Sequence, residues 1–318
     1  MVDTPSSRYA YLGPAGTFSE AALRSHLAGE DVDAVPCTDV VAALDAVRTG
    51  AVDRAVVPIE NSIEGGVNAT LDSLAGPAGP LVVVGEVVVP VQFVLAALPG
   101  TTLDDVARVA THPHAWAQCR GWAARRLDGA VHVPATSTAA AAAELAEAGS
   151  RAVAGYDAAL CSELSAERYG LVVLAGGVAD NPHGVTRFVV VSRPGVLPAP
   201  TGADKTTVVV HLADNEAGAL LRMLDQFAVR GVNLSRIESR PVGDSLGRYS
   251  FSMDIEGHVT EERVRATLIA LHRVCPLVRF LGSYPRADRQ RPHLAAGTHD
   301  ADFVAARDWA ATLLGGGV

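Results

Sequence analysis

Thr186-Arg187-Phe188 opens the last apolar run before residue 192, and Glu60-Asn61-Ser62 closes an earlier one. A planar guanidinium at Arg187 can grip a carboxylate through two parallel N–H donors. The Thr186 hydroxyl can donate to an oxygen beside it. Polar side chains are dense from Glu60 to Asn68, next to the Gly65-Gly66 pair. A third segment, Thr111-His112-Pro113-His114, adds a hydroxyl and, at Gln118, an amide. Its two histidines need a third ligand to hold a metal, and His132 and His183 are scattered, so no metal is expected. In Gly13-Pro14-Ala15-Gly16-Thr17-Phe18-Ser19-Glu20, Gly16 lets the backbone come close to a ligand. Thr17 and Glu20 have the spacing of a capping box, and amides at such a helix start attract carboxylates and phosphates. Ser137-Thr138 heads an alanine-rich run in the same way. Each segment also has a plain structural reading: a capped turn, a surface loop before an Asn68 cap, an N-cap, a strand start.

The remaining chemistry is narrowed by what is missing. There is no HExxH pair, Walker A loop or strand-following GxGxxG, and the GDSLG run at 243–247, which matches GxSxG, falls in a turn between two predicted strands and not at a strand-to-helix elbow, so no cofactor is implied. The chain has 318 residues, 49% apolar and 19% charged, with a formal net charge of −9. That supports a sizeable core and argues against nucleic-acid partners, which need a basic footprint. An anionic ligand would have to be captured by local donors against the overall field. Cys37, Cys119, Cys161 and Cys275 are far apart and read as free thiols in a reducing compartment. Residues 1–8 carry no apolar signal core, and the run 81–98 is too broken to span a membrane. No membrane association and a cytoplasmic location are expected.

These segments need strands to end at them and helices to begin there. Before residue 192, strands are predicted at 8–12, 34–36, 54–57, 81–84, 87–95, 109–110, 131–133, 152–154, 172–174 and 187–191. Helices are predicted at 18–27, 40–48, 68–74, 114–126, 138–148 and 158–169. Such alternation points to an α/β fold of parallel sheets covered by helices, with ligands beyond the strand ends in a cleft between two lobes. The GPAGP run at 76–80 looks like the crossing between them. The expected division is a domain over 8–192, with lobe one at about 8–78 and 178–192 and lobe two at about 79–177. A Pro/Gly-rich linker follows at 193–204, then a βαββαβ ferredoxin-like unit over 205–285. That unit's first helix carries Leu220, Leu221, Leu224 and Phe227 at helical spacing and stops at Gly231. The tail, 286–318, includes a helix over 300–314.

Taken in order, YLGPAGTFSE, VPIENSIEGGVNATLDSL, THPHAWAQC, STAAAA and GVTRFVVV resemble prephenate dehydratases. Gly218-Ala219-Leu220-Leu221 and Glu238-Ser239-Arg240-Pro241 resemble motifs of the ACT domain that these enzymes carry. The resemblance covers roughly residues 8 to 285. It implies a pair of lobes like those of periplasmic binding proteins, and conversion of prephenate to phenylpyruvate in phenylalanine biosynthesis. Thr186 becomes the main catalytic residue, within a catalytic set of Arg187, Phe188, Glu60, Asn61, Thr111 and Gln118. Gly16, Thr17, Ser62, Ser137 and Thr138 become substrate-binding. L-Phenylalanine would act as allosteric inhibitor at Asp214, Asn215, Gly218, Ala219, Leu220, Leu221, Glu238, Ser239, Arg240 and Pro241, in a homodimer or homotetramer. One departure stands out: where the family often has Ser-His-Pro-Gln, this chain has Thr111-His112-Pro113-His114. Thr111 keeps the hydroxyl; His114 replaces an amide and receives no catalytic role. The alternatives are an arogenate dehydratase, whose substrate has an amino group in place of the keto group, and a non-catalytic cytosolic amino-acid sensor.

Overall fold

The structure, a computed structural model, describes residues 7–127, 129–212, 216–242 and 249–314. The chain divides into two compact units, residues 1–70 with 87–189 and residues 71–86 with 190–318.

The first unit begins with β1 (Arg8–Leu12), α1 (Phe18–Leu27), β2 (Asp33–Cys37), α2 (Val40–Thr49), β3 (Arg54–Asn61) and the short β4 (Gly65–Gly66). Next in the chain come α3 (Asn68–Ala75) and β5 (Val82–Pro90), most of whose residues belong to the second unit, then β6 (Val94–Ala97), β7 (Arg108–Thr111), α4 (Pro113–Arg126) and β8 (Val131–Pro134). It continues through α5 (Thr138–Ala148), α6 (Arg151–Ala154), β9 (Ala158–Cys161), α7 (Glu163–Arg168), β10 (Val172–Ala175) and β11 (Val185–Ser192). The first lobe is a sheet of order β2-β1-β3-β11-β5, with β4 paired to β3. The second lobe is a sheet of order β10-β6-β9-β7-β8. Parallel pairing of β1 with β2 and β3, and of β7 with β8 and β9, puts several strand ends on one side of each sheet. Loops leaving those ends carry the polar motifs.

Two expectations need correction. Residues 81–95 are not two strands of the second lobe. Val82–Pro90 is one strand of the first sheet, running through Gly85 and Glu86, so the chain crosses after Pro90 and not at 76–80. Residues 152–154 are helical, capped by the Ser150 side chain, and the expected helix over 158–169 begins as strand β9. Alanine favours helix locally. Here Ala158, Ala159, Leu160 and Cys161 are all buried between β6 and β7, and burial on both faces overrides propensity. Helix resumes only after Ser162 supplies a cap for α7. The small side chains of Ala141, Ala142 and Ala159 share one core cluster with Leu145 and Cys161, which lets α5 lie close on the sheet.

The second unit contains β12 (Asp204–His211), α8 (Ala219–Ala228), β13 (Leu234–Pro241), β14 (Tyr249–Glu256), α9 (Glu262–Val274), β15 (Leu277–Pro285) and α10 (Asp300–Leu314). Its four strands form a sheet of order β13-β14-β12-β15 with every neighbour antiparallel. Strand alternation sends Val208 and Val210 into a core with Met223 and Phe227 of α8 and Leu271 of α9. Alternate positions, Thr207, Ser252, Asp254 and Arg236, form a buried polar network. α8 is narrower in its apolar contact than its sequence suggests: Met223 and Phe227 are buried, while Leu220 and Leu221 are exposed. The chain's single lysine, Lys205, pairs with buried Glu86 at 3.0 Å. Arg240 makes two bonds, of 3.1 and 2.8 Å, to Asp72 of α3.

Candidate active site

In the middle of the first lobe's sheet, the close of β3 lies beside the start of β11. Asn61 Nδ2 donates to Thr186 Oγ1 at 2.9 Å, and Asn61 Oδ1 accepts from the backbone N–H groups of Ile63 (2.8 Å) and Glu64 (3.1 Å). The amide is therefore held in one orientation. Thr186, with an acceptor position filled by Asn61, keeps its own hydrogen to donate.

A cavity of about 340 Å³ opens over this pair. Leu12, Phe18, Val91, Phe93 and Ala115 form its apolar wall, with Phe18 edge-on to Phe93. Thr17, Ser19, Asn61, Thr136, Ser137, Thr138, Gln118 and Thr186 bring polar groups to it. Three helices start there. Thr17 caps α1 through the Glu20 N–H (3.4 Å), His112 Nδ1 caps α4 through the His114 N–H (3.3 Å), and Ser137 caps α5 through the Ala140 N–H (2.9 Å). Each start carries unsatisfied N–H groups and the positive end of a helix dipole. Among the described lining residues there is no arginine or lysine; the basic side chains are His112 and His114, and the acidic one is Glu64. Burial, and secondarily the neighbouring His114, push the His112 imidazole below its ordinary range.

Glu64 crosses from the first lobe to the second. Its Oε2 lies 2.7 Å from His114 Nδ1, and its Oε1 accepts from Gln118 Nε2 at 3.1 Å. The same residues border a larger open cavity of about 730 Å³ that reaches Gly65, Gly66, Asp180 and Asn181.

The expected site residues thus separate into two groups. Asn61, Gln118, Thr17, Ser137, Thr138 and Thr186 line the cleft together. The others do not line it. Period-2 alternation turns Arg187 away from Thr186, and its guanidinium pairs with Glu60 at 3.4 Å. Phe188 is buried core. Thr111 is fully buried and donates to the Leu160 carbonyl at 2.8 Å. Ser62 accepts from the Val185 N–H at 3.0 Å and ties the two strands. The Gly16 carbonyl accepts from Ser162 (2.8 Å) and Ser165 (2.7 Å), and its N–H donates to Glu20 at 2.6 Å. With φ +91° and a Cβ that would lie 2.8 Å from Ser165 Oγ, the position requires glycine. Arg168 to Glu20 (3.0 Å) and the Tyr169 hydroxyl to the Ala15 carbonyl (2.8 Å) strengthen this junction of the lobes. These residues hold the walls in place without facing the ligand space. Cleft residues that motif reading passed over are the aromatic wall, Phe18 and Phe93, and the Glu64–His114 pair. Glu64 and His114 stand inside the motifs, but nothing in their spacing shows that they meet.

The family model for prephenate dehydratase matches residues 9–195. This chain belongs to the prephenate dehydratase family. A prephenate dehydratase of Amycolatopsis methanolica is 46% identical over 308 residues, spanning 96% of this chain and 98% of that one. The crystal structure of the Arthrobacter aurescens prephenate dehydratase, in complex with L-Phe, is 53% identical with a TM-score of 0.91, covering 97% of this chain and all of that one. The scaffold also appears in GqqA, described as a quorum quenching acylase, at 34% identity and TM-score 0.79, covering 89% of this chain and all of that one.

Proposed function

We propose that this chain catalyses the decarboxylating dehydration of prephenate to phenylpyruvate. The observation that carries the reading is the Asn61–Thr186 pair in a cleft walled by aromatic rings and three helix starts. Prephenate is a dianion; with one proton it gives phenylpyruvate, carbon dioxide and water. The C1–carboxylate bond and the C4–oxygen bond break, and the carboxylate's electron pair completes the aromatic ring. Aromatisation drives the step, so the protein has to hold two carboxylates, orient the ring and assist departure of the hydroxyl. Amides at the starts of α1, α4 and α5, with Ser137, Thr138 and Gln118, can take the carboxylates without an arginine. Phe18 and Phe93 can flank the ring and keep water from the carboxylate that is lost. Thr186 faces the leaving oxygen. Its hydroxyl is a very weak acid, so its part is to donate a hydrogen bond or relay a proton, not to ionise. In this reading Glu60, Arg187, Phe188, Thr111, Ser62 and Gly16 support the cleft from behind.

Acyl transfer through a serine or threonine hydroxyl, one route open to an acylase such as GqqA, calls for a hydroxyl activated by an adjacent base. Among the described residues no cleft hydroxyl is bonded to an imidazole or a carboxylate; Thr186 is bonded to an amide and Thr17 to a carbonyl. The cleft therefore favours dehydration.

The second unit, in this proposal, is an ACT domain of ferredoxin-like type that binds L-phenylalanine and lowers activity. What supports it is the strand–helix–strand–strand–helix–strand order, the L-Phe bound to the Arthrobacter relative, and the exposure of Leu220 and Leu221 on α8. Gly218, Ala219, Leu220 and Leu221 would contribute at one end of α8, and Glu238, Ser239, Arg240 and Pro241 on β13. Asp214 and Asn215 lie outside the described residues. Apolar surface at Leu220 and Leu221 fits pairing with a second copy, hence a dimer or tetramer. No described helix is long and apolar enough to cross a membrane, and a cytoplasmic setting goes with the biosynthetic role.

The test is to incubate the purified chain with prephenate and follow phenylpyruvate with and without L-phenylalanine. Turnover suppressed by phenylalanine supports both halves. Turnover indifferent to phenylalanine removes the regulatory half. No turnover with prephenate or arogenate leaves a non-catalytic amino-acid sensor as the better account.

A further inference from the structure

The cleft is built for anions yet contains one carboxylate. Glu64 is the acidic side chain among its described lining residues, and both of its oxygens are engaged by the opposite lobe, by His114 at 2.7 Å and Gln118 at 3.1 Å. His112 backs this arrangement: its Nδ1 accepts from the His114 N–H, and its ring stands edge-on to the His114 ring at 5.0 Å. An exposed carboxylate here would repel a dianionic α-keto acid. It would attract the α-ammonium group of the corresponding α-amino acid, because like charges in one site oppose and unlike charges favour binding. Hydrogen-bonded by an imidazole and an amide, the same carboxylate stays 39% exposed but has both oxygens turned to the opposite lobe, which weakens both effects.

We propose that the His114–Glu64 pair is the specificity determinant of this cleft, selecting the α-keto acid form of the substrate over the α-amino acid form by keeping Glu64 engaged. His114 acts as a positioning residue: it works through Glu64. The inference rests on the dehydratase reading and deepens it, by naming the residues that set the cleft's preference for prephenate over arogenate.

The experiment measures kcat/KM for prephenate and for arogenate with the full-length wild-type chain, His114→Ala, Glu64→Gln and the double variant. The ratio of the two values is the readout, because a partly misfolded preparation lowers both equally. His114→Ala is expected to shift the ratio towards arogenate by about fivefold, the scale of one partly exposed charge pair. Glu64→Gln is expected to shift it towards prephenate or leave it, and to cancel the His114→Ala shift in the double variant. The proposal is overturned if His114→Ala moves the ratio by less than about twofold, below the effect of a single charge pair. It is equally overturned if the shift survives when Glu64 is also replaced. A wild type inert on both substrates sinks the dehydratase reading and this inference together; an active wild type with an unmoved ratio removes the inference alone.

Discussion

Thr186 in the first unit and Thr207 in the second are both buried strand threonines, and they are put to opposite use. Thr207 donates to Asp254 Oδ1 at 2.8 Å and shares a 2.6 Å bond with the Tyr284 hydroxyl. Asp254 is gripped in turn by Arg236 at 2.9 Å, and Arg236 reaches Ser252 at 2.8 Å. In this network the charges of Asp254 and Arg236 are opposed to each other deep in a sheet. Thr186 receives one bond from a neutral amide and faces a cavity. A hydroxyl whose bonding capacity is used up within the fold fixes structure; one with a donor left over at a cavity wall can act on a ligand.

The sharpest way to break this contrast is Thr186→Val. It keeps the shape and removes the donor, so kcat for prephenate should fall by ~10²–10⁴-fold, the range for acid assistance. Full turnover in that variant would end the assignment. Its urea midpoint should move little, since Asn61 keeps its backbone bonds. Asp254→Ala tests the other side. It leaves the Arg236 guanidinium buried without its main counter-charge, and the second unit should lose ~3–5 kcal/mol in denaturant unfolding. A loss within a few tenths would mean the network is more hydrated than its burial implies.

Smaller effects sharpen the picture. Ser137→Ala removes the α5 cap and a cleft hydroxyl, which should cost about 1 kcal/mol of stability and raise KM for prephenate; an unchanged KM would take Ser137 out of carboxylate binding. The least effect concerns pH. His112 is held below its ordinary value of 6.5 by burial, so the folded state prefers it neutral. Its contribution is complete above 6.5 and is lost as pH falls below that value, because the unfolded chain takes up the proton first. Protonation would also remove the acceptor that caps α4. The melting temperature should therefore fall from pH 7.5 towards 5.5, and less steeply in His112→Asn; parallel slopes would show that His112 is not responsible.

Much of this site was legible as segments. Strand ends followed by Gly, Asn, Ser and Thr do lead into loops that border a cavity, and Thr17 and Ser137 cap helices as their positions imply. What could not be read was facing. Alternation along β11 says that Thr186 and Arg187 point opposite ways, but not which of them meets the cleft. Arg187 looked like a carboxylate fork and instead pairs with Glu60. Thr111 looked like a donor to substrate and is spent on a carbonyl. The strand at Ala158–Cys161 was hidden for a related reason: its alanines favour helix until neighbouring strands bury them.

By itself, then, the sequence determined the order of the motifs, the alternation of strand and helix, the family, and an acidic chain that must bind anions through local donors. Those features depend on residue type and short-range spacing, which the chain carries wherever it goes. The tertiary structure alone decided that Asn61 meets Thr186 across 125 positions and that Glu64 meets His114 across 50. Such pairs form only when sheet order and lobe packing bring distant segments within hydrogen-bond reach, and no local rule encodes that distance.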